Sequence, residues 1–153
     1  MTFFTSEPYS KTKYISKQLV DQLVCTFCSK DEAERGIIYF GVRPSFVSQR
    51  IKGTFQKATI IMTGCGGLVN PSMASAFVEK GAKVYIGWNE AIFFSYTDTA
   101  TVNLLQHLLI EKQTMNQAVD NAIKEVGPDP AENSTLKYYP LNVANQKIET
   151  PQA

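Results

Sequence analysis

Charge of one sign is what this chain lacks first: fifteen basic side chains against fourteen acidic ones leave a net charge of +1. A field that weak draws neither nucleic acid nor an anionic membrane surface. Cysteine is scarce too. Three cysteines, an odd number without framework spacing, argue against a disulfide scaffold and for free thiols in a reducing, cytoplasmic compartment. Long apolar runs are missing: the stretches at residues 36–42 and 58–62 fall far short of the roughly 20 residues a membrane-crossing helix needs. The opening MTFFTSE has neither the basic nor the apolar region of a signal peptide. Histidine occurs once, at His107, which restricts any chemistry that needs an imidazole. No repeat or low-complexity segment is visible.

What is present is enough apolar matter for one domain with a real core, 44% of 153 residues. Its patterning alternates between strand and helix. After a strand end at residues 3–5, Ile15, Leu19, Leu23 and Phe27 recur at helical spacing with Val20 and Val24 beside them, predicting a helix over 12–28 that the polar run 29–35 closes. A strand over 36–42 leads to a short helix opened by Pro44 and ending at Ile51. Residues 59–62 read as a strand, and Asn70 as the cap of a helix that stops at Gly81. The apolar run 83–88 then returns parallel to it through a right-handed crossover. Asp98 is expected to cap a helix reaching Lys112, with Val102, Leu105, Leu108 and Leu109 inward and His107 on the opposite, solvent face. Thr114 and Gln117 form a capping box for a helix over 115–126. An edge strand is expected at 136–139. The predicted fold class is therefore α/β, a three-layer α/β/α sandwich with a mostly parallel sheet, over residues 1–140. Residues 141–153 are predicted to form a frayed, flexible tail.

Residues 58–89 carry the chemical signal. Buried parallel strands are continuous apolar runs, and Thr59-Ile60-Ile61-Met62 fits one. Cys65 thus emerges at the carboxyl edge, where open α/β sheets place their chemistry. The order of this strand, Gly64-Cys65-Gly66-Gly67, a helix ending Phe77-Val78-Glu79-Lys80-Gly81-Ala82, a strand ending Gly87-Trp88 and the later Gln117-Ala118-Val119-Asp120-Asn121-Ala122 resembles the caspase-like cysteine peptidases. The nearest likeness within them is to the gingipain and separase-like branch often called CHAT, over residues 36–126.

That resemblance implies peptide hydrolysis without a cofactor or metal, on a peptide or protein substrate. Cys65 is the implied nucleophile, with Gly66 at the oxyanion. Trp88, Asn89 and Glu90 are implied to border the pocket for the residue before the cut, and Glu90 or Asp98 to form an acidic floor for Arg or Lys. The family's His-Gly pair precedes the cysteine, and no histidine precedes Cys65 here. The resemblance is then to the C-terminal part of such a domain, its histidine supplied by an upstream segment or companion chain, or to a non-catalytic interaction module of the same fold.

A second likeness is to the short-chain dehydrogenases. Thr63-Gly64-Cys65-Gly66-Gly67 before a helix, with Glu90 after the next strand, is similar to their NAD(P)-binding opening, in which a helix N-terminus holds phosphate and an acid holds a ribose hydroxyl. Leu68 and Asn70 stand where that fingerprint needs glycine, and the Tyr9 to Lys13 pair lies before the loop, where those enzymes carry theirs after it. Cys25-Thr26-Phe27-Cys28 has the spacing of a redox pair or half a zinc site. Only Cys65 and His107 remain as further ligands, and the end of a helix disfavours a thiolate. The motif reads as small, half-buried helix residues.

Overall fold

The strand Val84–Trp88 is buried along its whole length, and the other elements are placed by what they cover on it. The computed structural model describes residues 2–27, 29–127, 129 and 133–148. In chain order it contains β1 (Phe3–Pro8), α1 (Ile15–Leu19), β2 (Leu23–Thr26), α2 (Lys30–Glu34), β3 (Tyr39–Val42), α3 (Pro44–Arg50), β4 (Thr59–Met62), α4 (Ser72–Glu79) and β5 (Val84–Trp88). There follow α5 (Phe94–Leu105), running on into a π-helical turn (Gln106–Ile110), then α6 (Met115–Val126), β6 (Leu136–Tyr139) and a 3₁₀ turn (Leu141–Val143).

The strands form two three-stranded sheets, in the orders β1-β3-β2 and β4-β5-β6. The chain is a mixed α/β fold, and the expected mostly parallel sheet is not what forms. Only β4 and β5 run parallel among the described strands, with Thr59 opposite Val84 and Met62 opposite Gly87. β6 returns antiparallel on β5, pairing Leu136 with Trp88, and the first sheet is antiparallel throughout. β4, which leads to Cys65, is an edge of its sheet; β5 is the centre.

Strand alternation sends Val84, Ile86 and Trp88 to one face of β5. There they join Ala100, Leu104 and Leu108 of the α5 segment and Met115, Ala118 and Ala122 of α6. Tyr85 points the other way, its ring 5.7 Å from that of Phe77 on α4. Helices therefore cover both faces of the second sheet. Behind α4, Val47, Met73 and Ala76 pack with Phe3 and Val42, so the first sheet adds a further layer to the expected three.

Local chemistry sets several boundaries where the pattern places them. The Gln117 carboxamide accepts from the Thr114 amide at 3.2 Å, completing the expected capping box at the start of α6, whereas α4 has Pro71 rather than Asn70 as its N-cap, with the Asn70 carboxamide accepting from the Ser72 amide at 3.1 Å from one residue further out. Elsewhere the periodicity misleads. The helix predicted over 12–28 stops at Leu19, which is 80% exposed. Asp21 takes a left-handed φ of 51°, and residues 23–26 join β3 as a strand. Leu23 is buried while Phe27 is exposed, so the apparent stripe was never one face. Cys25 is exposed on that edge strand rather than half-buried on a helix, and Cys28 lies outside the described residues.

The run 29–35 is a short helix whose first turn is capped by the Ser29 hydroxyl, which accepts from Glu32 N at 3.2 Å. The helix expected to begin at Asp98 begins at Phe94, leaving Asp98 inside it. Its buried face carries Thr97, Ala100, Leu104 and Leu108, while Val102, Leu105 and Leu109, expected to face inward, are exposed. Residues 141–148 dock rather than fray: Val143 is buried, and the carbonyls of Ala144 and Gln146 accept from Asn116 N at 3.0 Å and Met115 N at 2.9 Å. These satisfy amides that a helix start leaves open. Residues 149–153 lie outside the described residues.

One close approach fixes the loop after β4 onto β5. A Cβ at Gly87 would sit 3.0 Å from the carbonyl carbon of Gly67 and 3.3 Å from Leu68 N, all backbone atoms with little room to give. Gly87→Ala is expected to cost about 1–3 kcal/mol in urea unfolding. An unchanged midpoint would show that the loop does not lie on the strand.

Candidate functional site

The candidate site lies where β4 and β5 end. Past Thr63 the chain turns back across β5, with Gly66 at a φ of 62°, a conformation that favours glycine. Gly66 N donates to Glu90 O at 2.8 Å and Leu68 N to Trp88 O at 2.7 Å. Beneath the loop the Trp88 indole N–H donates to Thr97 Oγ1 at 2.8 Å, and that hydroxyl donates to Thr63 O at 2.9 Å. The exposed Cys65 thiol donates to Ile92 O at 3.4 Å and accepts from Ile92 N at 3.5 Å. Asn89 ties in the chain before β6: its carboxamide oxygen accepts from Thr135 N at 2.7 Å, and its own N–H donates to Thr135 O at 3.2 Å.

Cys65, Gly66, Trp88, Asn89 and Glu90 are thus brought to one end of the second sheet, where Gly66, Trp88 and Asn89 are engaged within the fold while Cys65 and Glu90 are exposed. Trp88 has 0% exposure and is a core side chain, not a cleft wall. Asn89 is consumed as a latch. The Gly66 amide is a donor to a protein carbonyl rather than one awaiting an oxyanion, whereas the Cys65 amide has no hydrogen-bond partner among the described residues. The Glu90 side chain is exposed beside the loop, and Asp98 is exposed on α5 next to the buried Thr97.

His107 is the largest departure. Expected on the solvent face, it is 4% exposed, in the π-helical turn. Ten residues separate it from Thr97, which at helical rise is about 15 Å. Its Nδ1 lies 2.9 Å from Glu111 Oε2, and its Nε2 lies 3.1 Å from Glu125 Oε1 in an ion pair that is not aligned as a hydrogen bond. Burial works to lower its pKa. The Glu111 hydrogen bond and the Glu125 carboxylate outweigh that and hold it above the ordinary value. Glu111 is held below the usual carboxylate range, chiefly by its hydrogen bond to His107. The imidazole therefore clamps α5 to α6 rather than serving Cys65.

The loop is also poorly furnished for a pyrophosphate, because the Gly66 and Leu68 amides and the first-turn amide of Ser72 are already bonded within the protein. Tyr9 donates to Gln18 and Lys13 pairs with Glu7, so that pair serves the first sheet. Among the described residues no group of three or more His, Cys, Asp or Glu side chains is placed to hold a metal ion, and no helix is long and apolar enough to cross a membrane.

Sequence reasoning missed a cleft of about 370 Å³ between the first turns of α5 and the last turn of α6, lined by Phe93, Ser95, Tyr96, Thr99, Asn103 and Glu125 among others. Tyr96, Thr99 and Asn103 recur at helical spacing, the signal that locates it. The expected start at Asp98 hid its first turn. Comparison of the chain with protein-family models, curated proteins and solved structures returns no match.

A group whose folded pKa is raised stabilises the fold fully below its unfolded value, about 6.5 for histidine, and loses that contribution as pH rises through the folded value. Glu111, lowered, contributes above its unfolded value and loses it as pH falls through the folded one. The clamp is therefore strongest between the two. Melting temperature is expected to decline from mildly acidic to mildly alkaline pH in the native chain, with the decline reduced in His107→Gln. Equal slopes for both proteins would contradict the clamp.

Proposed function

We propose that this chain is a caspase-like α/β module that presents Cys65 as the nucleophile of a peptide-cleaving site whose imidazole comes from outside these residues. The observation that carries the reading is the exposed Cys65 thiol at the carboxyl end of β4, beside the parallel β5 and seated on the Ile92 peptide. A thiol attacks a peptide carbonyl as thiolate, so a base must take its proton and return it to the leaving amine. His107 is committed to Glu111 and Glu125. The Cys65 amide is then the oxyanion donor this chain offers. The exposed Glu90 carboxylate beside the loop is suited to a basic residue before the cut.

A second reading, a non-catalytic interaction module of the same fold, is favoured by the Gly66 amide being spent on Glu90 O. Chemical rescue separates the two. The chain alone is expected to cleave no fluorogenic peptide bearing Arg, Lys, Asp or Leu. Free imidazole should induce imidazole-dependent cleavage, recovering part of the roughly 10²–10⁴-fold that a positioned base contributes, and Cys65→Ala should abolish it. Absence of imidazole-dependent cleavage on all these peptides would leave the interaction module.

A further inference from the structure

We infer that the cleft between α5 and the end of α6 binds a guanidinium group carried on an apolar stem, an arginine side chain or its chemical equivalent. The inference does not depend on Cys65 being a nucleophile. At about 370 Å³ the cleft is at the lower end of the roughly 300–1,000 Å³ typical of ligand sites, suited to one long side chain rather than a cofactor. From Ser95 to Asn103 it follows α5 for eight residues, about 12 Å, so an extended stem can lie along it.

Its lining selects charge and shape. Neither Lys nor Arg lines it, and Glu125 contributes a half-exposed carboxylate. Glu125 meets His107 through Oε1 at 3.1 Å, and its Oε2 has no partner among the described residues, so that carboxylate keeps acceptor capacity for a ligand. Ser95 Oγ and the Asn103 carboxamide make no hydrogen bond among the described residues. The Tyr96 hydroxyl is buried without a hydrogen-bond partner and sits in the field of the Asp129 carboxylate. The Tyr96 hydroxyl lies beneath the surface rather than in the open cleft, so the acceptors offered to a ligand are those of Ser95, Asn103 and Glu125, with the Glu125 carboxylate giving the site its negative sign beside the rings of Phe93 and Tyr96. A planar group with several forked N–H donors, which also stacks on aromatic faces, matches that lining better than a compact ammonium does.

The test is an amide NMR titration of the full chain with N-acetylarginine N-methylamide, compared with the citrulline analogue of the same shape and no charge. Saturable shifts centred on Ser95, Thr99 and Asn103 are expected, with citrulline weaker by about tenfold or more, the loss of a charge-assisted hydrogen bond. Glu125→Gln should weaken arginine binding similarly. Should that variant fail to fold, Thr99→Trp, a change at an exposed position that fills the cleft, should abolish the shifts. Cys65→Ala should leave them unchanged, so a failed peptidase assay and a failed titration report separately. Equal binding of citrulline, shifts centred elsewhere, or none at all would overturn the inference.

Discussion

One buried hydroxyl holds together the end of the second sheet at which β4 and β5 finish. Thr97 Oγ1 accepts from the Trp88 indole and donates to Thr63 O, joining the central strand, the helix that covers it and the exit of the edge strand. Trp88 is fully buried, and an indole N–H left unpaired in such a place costs about 1–3 kcal/mol. Thr97 must therefore face β5, and that requirement sets the rotation of α5. Ala100, Leu104 and Leu108 follow Thr97 into the core. The same rotation turns Tyr96 to pack edge-on against Trp88 and places Thr99 and Asn103 along the cleft.

The loop bearing Cys65 is built outward from this relay. Fixing Thr63 starts the turn, the close approach of Gly67 to Gly87 lays it on β5, and the Gly66 and Leu68 amides secure it to carbonyls at the strand end. Stability and chemistry compete for these groups, since each amide spent on the fold is one fewer for a substrate oxyanion or a phosphate. What the arrangement leaves exposed is a thiol seated on the Ile92 peptide and the Glu90 carboxylate, and the Cys65 amide is left without a hydrogen-bond partner among the described residues. The imidazole is spent at the far end of α5, where Glu111 and Glu125 hold it between two helices.

Much of the fold was legible where local chemistry and tertiary packing agree. The apolar runs of β4 and β5 and the Thr114–Gln117 box act within a few residues, so pattern alone locates them. The misreadings share a cause, namely that partners distant in sequence decided the outcome. Ile15, Leu19, Leu23 and Phe27 have helical spacing, yet residues 23–26 find their hydrogen bonds in β3. Val102 and Leu105 are greasier than Thr97 and Ala100, but the indole needs a hydroxyl, and the face that Thr97 turns to β5 carries Ala100, Leu104 and Leu108 with it. At the site, the position of Cys65 after a strand was readable from the order of elements. That the Gly66 amide is occupied, that Trp88 is buried and that His107 faces two carboxylates required the three-dimensional arrangement.

The relay is tested most directly by the unfolding free energy of Thr97→Val, which keeps the shape and removes both hydrogen bonds, measured beside Thr97→Ser, which keeps the hydroxyl. The account predicts that valine lowers the stability by about 1–3 kcal/mol while serine stays much closer to the native chain. A valine variant as stable as the native protein would contradict it.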